Sequence, residues 1–555
     1  MDCFTGLIRF VGVKISAVLF SSIIFFSASM AQPPSIQWQR CLGGTMDDLG
    51  ISIKQTIDGK YLLCGTVVSN DGDVSGNHST STEDTWIVKL DSSGTLIWQK
   101  CYGGSWEEPG RSMLTTPENG FVVTSLAGSA DGDIVGTNFH GGGDFWVFKC
   151  DSSGTMLWNK CYGGSGEDEP YDIIKCFDNG YIVIGSSEST DFDVVGVHDT
   201  ITIYCPGCTD VWITKLDSSG SLEWAKCYGG YYTDVGYSIV QNSDSGFTFL
   251  ASTYSNDGDV SGNHSLVSGW GIDYWLVKIN KSGDLQWQRC LGGSVNDANF
   301  YEYCQVQNTH DNGYIMIGDV GSNDGDVSGL HGFQGRDAWV VKLDHSGNIQ
   351  WQRCLGGSDW DLGSGVKEVA DSNYIVMAFA GSMDGDVVFN HSHDYDVWLL
   401  KLNSSGSILW QQCYGGTSSD GVKDFCFTSD GGIIFTGGTA SIDGDVSGNH
   451  GSFDAWVVKL SPLPDYLSYS NNHITDFTAC FDNTNNLHIG FYANGNENVE
   501  LELYDIAGRK IIQQPLFVVA GFNKQVVNSL QLNPGVYLVR LLTKDGAITK
   551  KIVVE

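Results

Sequence analysis

The sequence predicts an all-β fold: a seven-bladed β-propeller over residues 32–460 and a C-terminal β-sandwich over 476–555. Three observations carry this reading. Two tryptophan patterns each recur seven times. Each repeat holds four strand-length runs bounded by turn residues. Both patterns stop together after Leu460.

The first pattern is W-x-x-C, a bulky residue and Gly-Gly. Its tryptophans are Trp38, Trp98, Trp158, Trp224, Trp287, Trp351 and Trp410, at spacings of 59 to 66 residues. The second is D-x-W, two residues and Lys, with Trp86, Trp146, Trp212, Trp275, Trp339, Trp398 and Trp456. A self-similarity of this period points to stacked supersecondary units. In the first repeat the runs are 50–55, 60–65, 85–90 and 96–102. They are rich in β-branched and aromatic residues, and Asp58-Gly59, Asp71-Gly72, Ser92-Ser93-Gly94 and Gly103-Gly104 bound them. Four strands per period is one propeller blade. The phase adds a closure: the chain opens with a lone fourth strand around Trp38 and ends the repeats with three strands. The N-terminal strand is therefore expected to complete the last blade, leaving no free sheet edge.

Bulk composition agrees. A chain of 555 residues exceeds one ordinary core. Gly at 71 with Pro at only 10, and 12% aromatics, suits short strands and tight turns. The net charge of −35 argues against nucleic acid or anionic lipid as a partner and is compatible with divalent cations.

Residues 1–31 read as a signal peptide. Arg9 and Lys14 precede an apolar run over 15–26, and Ser29-Met30-Ala31 offers a small-residue cleavage site. No later stretch is long enough to span a bilayer, so the mature chain is expected to lack a transmembrane segment.

The run L/Y-G-G-S/T-x-x-D, then D-G-G-Y-I-V-x-G, then D-x-W-V-x-K-L-D-S-S-G-x-x-x-W resembles the bacterial β-propeller repeats known as SBBP repeats, over about 35–460. After Leu460 the composition shifts, and 461–475 reads as a linker. Leu503 to Lys510, Leu532 to Val539 and the ending Lys550-Lys551-Ile552-Val553-Val554 resemble type A sorting domains of the type IX secretion system. The usual Tyr-Pro-Asn-Pro opening of such domains is missing. The resemblance implies that the type IX machinery is a partner and that the protein is released or anchored on the outer surface.

Chemistry is sparser. The loop after the second strand repeats D-G-D-V-S-G, with Asp71 and Asp73, Asp257 and Asp259, Asp324 and Asp326, Asp443 and Asp445. Acids at positions 1 and 3 with Gly at 6 echo half a calcium loop, so Ca2+ is the one cofactor suggested. An Asx-turn in a repeated hairpin is the competing reading and the simpler one, since no acid recurs at position 12. His78, His198, His264, His331, His391 and His450 follow these loops, with His140 in the second repeat; a metal role and a hydrogen-bonding role are both open. Acids between blades (Asp48, Glu108, Asp168, Asp234, Asp297, Asp361, Asp420) are expected on the same face and to make it strongly acidic. Aromatics that break the repeat, Trp106, Tyr231, Tyr232, Trp270 and Trp360, are candidate contacts for a carbohydrate or protein ligand. Cys205 and Cys208 are expected to form a short loop disulfide.

No nucleophile elbow, zinc-protease motif or phosphate loop is present, and no catalytic residue is nominated. The expected function is a secreted or surface binding or adhesion protein. The alternatives are a polysaccharide-active hydrolase or lyase with its site in the central channel, and a structural surface protein.

Overall fold

A computed structural model describes residues 32–554, apart from 80, 199–207, 265–270, 299–303, 333–334, 370–371, 464–473, 482–485, 494–496, 507, 520, 529, 531 and 544–545. The proposed signal peptide lies outside the described residues. These form 35 strands, β1 to β35 in chain order, with one short 3-10 turn at Gly132–Ile134 and no α-helix.

Seven four-stranded antiparallel sheets occupy residues 36–460. Six use consecutive strands: β2–β5 (48–102), β6–β9 (110–162), β10–β13 (168–228), β14–β17 (234–291), β18–β21 (305–355) and β22–β25 (361–414). The seventh joins β26 (Asp424–Phe427), β27 (Ile433–Thr439) and β28 (Asp454–Leu460) to β1 (Ile36–Leu42). Trp38 faces Lys459 and Cys41 faces Trp456 across that seam. The first strands of consecutive sheets touch in sequence, and β26 touches β2, so the ring closes. This is a propeller-like arrangement of antiparallel sheets.

Both tryptophan patterns have packing reasons. The seven D-x-W tryptophans are fully buried. Each stands opposite the W-x-x-C cysteine of the next strand, as Trp86 opposite Cys101 and Trp339 opposite Cys354. A large ring against a small thiol fills the space between sheets at near-crystalline density. These thiols are unpaired, and burial pushes Cys101 and Cys354 up to about 12. Six of the W-x-x-C tryptophans do a different job: Trp38, Trp98, Trp158, Trp224, Trp287 and Trp351 each lie under the D-S-S-G-type turn of the following sheet, whereas Trp410 meets no such turn because β28 and β1 are not joined by a hairpin. A Cβ on Gly94 would come within 2.7 Å of the Trp38 ring, and one on Gly220 within 2.8 Å of Trp158. Those glycines have φ of +79° and +76°, a conformation that also favours Gly.

The C-terminal region pairs β29 (Ile474–Phe481), β30 (Leu487–Ala493) and β33 (Gly521–Val527) in one sheet. The other holds β31 (Glu497–Asp505), β32 (Lys510–Val518), β34 (Gly535–Thr543) and β35 (Gly546–Val554). Leu487, Ile489 and Phe491 of the first share one core with Leu501, Leu503 and Val539 of the second.

Candidate functional site

The loop acids separate into two groups. Asp48, Glu108, Asp168, Asp234, Asp297, Asp361 and Asp420 are fully buried. This corrects the expectation that they build an acidic face: they turn inward and bind backbone. Asp48 Oδ2 accepts from Gly44 N at 2.7 Å, and its Oδ1 accepts from Val68 N and Ser69 N at 3.1 Å. Each therefore closes its own inter-sheet loop and the start of the next loop, a task that requires burial. Beside each lies the D-x-W aspartate of the preceding sheet, also buried. The two carboxylates flank the first glycine of the Gly-Gly pair. A Cβ on Gly43 would meet Asp454 Oδ1 and Asp48 Oδ2, each at 2.8 Å.

The loop histidines bind these D-x-W aspartates. His264 donates its backbone N–H to Asp273 Oδ2 at 2.9 Å, with Nδ1 2.7 Å from the same oxygen. The same double contact recurs at His78, His140, His198, His331, His391 and His450. Burial raises the acids: Asp144 to about 8, Asp273 and Asp396 to about 6.

The D-G-D loops stay at the surface. Asp71 spends both oxygens on Thr45, at 2.8 Å from its N and 2.9 Å from its Oγ1. Asp324 and Ser294, and Asp443 and Thr417, repeat this; Asp257 accepts from Tyr231 N at 2.8 Å. The second aspartates, Asp73, Asp259, Asp326 and Asp445, donate backbone N–H to the first glycine of the Gly-Gly pair at 2.8 Å. Among the described residues no group of three or more His, Cys, Asp or Glu is arranged to hold a metal ion. Of the loop aromatics, Trp106 is 61% and Trp360 41% exposed, and Tyr231 and Tyr232 form an edge-on pair at 5.2 Å. Trp270 lies outside the described residues. So does Cys205; Cys208 is disulfide-bonded.

A cavity of about 610 Å³ lies at the hub, lined chiefly by the first strands of the sheets. Its polar residues do not repeat around the ring. β-Bulges break the register between Gly50 and Ser52, Pro170 and Asp172, Gly236 and Ser238, and Gly363 and Gly365. A bulge leaves a backbone N–H without its ladder partner. Here the neighbouring sheet supplies one. Ile53 N donates to Asp424 Oδ2 at 3.0 Å, Ile239 N to Asp172 Oδ2 at 3.3 Å, and Val366 N to Gln305 Oε1 at 2.9 Å. Asp424 also accepts from Ser52 Oγ at 2.9 Å and is ion-paired to Lys54. Asp172 accepts from Ser112 Oγ at 3.1 Å. Burial raises Asp172 against the hydrogen bonds from Ile239 N and Ser112 and the attraction of Lys54, whereas Lys54 and Lys367 outweigh burial and hold Asp424 low. Arg111 pairs with Glu169 and lies 5.6 Å from the Tyr171 ring centre.

These hub residues are inconspicuous in the sequence because the tryptophans, not the hub positions, carry the repeat. The signal was present: on the first strand of each repeat, Lys54, Asp172, Gln305, Lys367 and Asp424 stand where the repeats disagree.

Residues 483–555 match the family described as a secretion system C-terminal sorting domain. The regulatory protein FlaEY of Caulobacter vibrioides is 26% identical over 198 residues, which cover 34% of this chain and 20% of FlaEY. This chain thus spans about a fifth of that curated relative's length. Among solved structures, the α-L-arabinofuranosidase Arb93A of Fusarium graminearum is 10% identical with a TM-score of 0.37, covering 63% of this chain and 92% of its own. A DUF4221 family member of Bacteroides vulgatus is 9% identical with a TM-score of 0.32, covering 78% and 98%. Likenesses this distant carry no weight for chemistry. No helix among the described residues is long and apolar enough to cross a membrane. The sorting domain implies export by type IX secretion, to release or outer-surface attachment.

Proposed function

We propose that the protein is a secreted or surface-held seven-bladed β-propeller with a C-terminal sandwich as its sorting domain, and that it binds its ligand in the hub cavity. The observation that carries this is the cavity's non-repeating polar lining inside an otherwise repeating ring. The lining also holds residues that the inter-sheet bulge contacts do not use, Lys367 and Gln307 among them, and these are available for recognition. A space of about 610 Å³ is within the range of small-ligand sites. The exposed Trp106 and Trp360 are a secondary contact surface.

The test is a calorimetric titration of the full chain with soluble oligosaccharides, beside a Leu114→Trp variant that narrows the cavity. Leu114 lines it and is only partly buried. Binding abolished by this variant, with an unchanged melting curve of the free protein, supports the hub. Binding that survives it moves the site to the loop aromatics.

A second reading has its own observation. Asp172 and Asp424 share the cavity and have opposite shifts, as a general acid and an ionised partner would. Release of reducing sugar by the full chain, lost in Asp172→Asn, would establish a glycoside hydrolase instead.

A further inference from the structure

The hub's charge is opposite to that of the molecule. The chain carries 65 acidic against 30 basic residues. The cavity lining contains Lys54, Arg111, Lys175, Lys367, Lys423 and Lys524, against Asp172 and Asp424. Five of the six cations belong to the ring of sheets; Lys524 comes from the C-terminal region and lies 5.8 Å from the Phe177 ring centre. Lys54 and Arg111 help to join sheets through Asp424 and Glu169, but the junction acids satisfy backbone donors without any lysine, so the sheet contacts do not account for the other cations.

Lys54 and Arg111 already have carboxylate partners, Asp424 and Glu169. Lys367 differs. Its Nζ lies 5.1 Å from the Phe425 ring centre and makes no hydrogen bond or ion pair among the described residues. A lysine ammonium has three donors and no acceptor. The ring face of Phe425 attracts the half-buried ammonium but accepts none of its hydrogen bonds, and an anion brought beside it would take them up. Burial lowers its pKa, with Lys54 adding to the effect and Asp424 opposing it. The surrounding walls add amides, Gln305, Gln307 and Asn308, and the edge-on pair Tyr171 and Tyr237 at 5.1 Å. Amides and aromatic rings among cations suit a hydroxylated ligand that also carries negative charge.

We infer that the hub cavity binds an acidic saccharide, a sugar bearing carboxylate or sulfate groups, with Lys367 as the contact for its charge. This rests on the hub-binding reading above and adds the ligand class. The long-range field of the acidic surface would repel such a ligand, so recognition is concentrated in the cavity.

The experiment is calorimetry on the full chain with three probes: an oligouronate, a sulfated oligosaccharide and a neutral oligosaccharide of equal length. Each is run with the native chain, Lys367→Gln, Lys367→Arg and Leu114→Trp. The expected result is binding of at least one acidic probe and weak or no binding of the neutral one. Lys367→Gln lowers affinity about tenfold or more, and Lys367→Arg restores most of it, as loss and retention of a charge-assisted hydrogen bond require. The two acidic probes separate carboxylate from sulfate as the recognised group. Preferential binding of the neutral probe, abolished by Leu114→Trp but indifferent to Lys367→Gln, overturns the inference and leaves the hub reading standing. Binding of an acidic probe that survives Leu114→Trp overturns both. Binding of neither acidic probe at millimolar concentration overturns the inference.

Discussion

His331 and Asp337 are joined twice: the His331 backbone N–H donates to Asp337 Oδ2 at 2.9 Å, and the ring Nδ1 lies 2.7 Å from the same oxygen. The ring's other nitrogen sits 3.7 Å from Asp386, in a loop of the next sheet. The imidazole thus spans a junction between sheets. His78, His198 and His264 reach Asp133, Asp259 and Asp326 in the same way.

Replacing His331 by Ala should therefore cost about 1–3 kcal/mol, because a buried carboxylate loses a partner. His345 lies exposed in a turn; its replacement by Ala should stay within about 0.5 kcal/mol. Urea denaturation of both variants checks the contrast, and equal effects would remove the junction role.

The buried acids set a direction for pH. Burial raises Asp144 to about 8, Asp234 to about 7, and Asp168, Asp273, Asp361 and Asp396 to about 6, from an ordinary 3.8. A carboxyl that holds its proton more tightly when folded contributes stability that is complete below pH 4 and is lost as pH rises to about 8. His78 and His331 are raised because their aspartate partners outweigh burial, and His198 is raised by its bond to Asp210. Their contribution is complete below 6.5 and is also lost on going alkaline. The melting temperature should fall between pH 5 and pH 8.5. Asp144→Asn cannot ionise, so its fall should be smaller. A flat or rising profile contradicts this.

The first glycine of each Gly-Gly pair should tolerate nothing larger. A Cβ on Gly292 would lie 2.5 Å from Asp273 Oδ1 and 2.8 Å from Asp297 Oδ2. Gly292→Ala is expected to cost about 1–3 kcal/mol by overpacking. Gly329 has φ of +92° but open space around it. Gly329→Ala should pay only the backbone term of about 1–2 kcal/mol. Chemical denaturation ranks the pair, and the reverse order would refute the steric account.

Closure by β1 is the fourth expectation. Ser461 N donates to Ser35 O at 2.8 Å, and Tyr414 donates its hydroxyl to Pro34 O. Deleting residues 32–42 bares the edge of β28 and should bring aggregation and rapid proteolysis. A deletion that stays monomeric and melts as the native chain does would show that the seam is dispensable.

Truncating a D-x-W tryptophan, for example Trp275→Ala, should cost about 3–5 kcal/mol. Trp287→Ala should cost less, since Trp287 is only partly buried. Paired melting curves distinguish them.

The sequence by itself determined the strand content, the period and the strand phase. Side-chain alternation and turn chemistry are local, and seven copies average out exceptions such as the four-residue β26. The sorting region was legible for the same reason: Leu503 to Lys510 and the final basic-apolar strand are contiguous. Only the tertiary structure decided what the repeated acids do. Asp48 looks like a surface loop acid in the chain, but it is buried against Gly44 and Ser69 because the next loop folds over it. It alone also brought Lys54 to Asp424 and Lys367 beside Phe425. Lys54 and Asp424 are 370 residues apart in sequence, and what joins them is the return of the last sheet to the first.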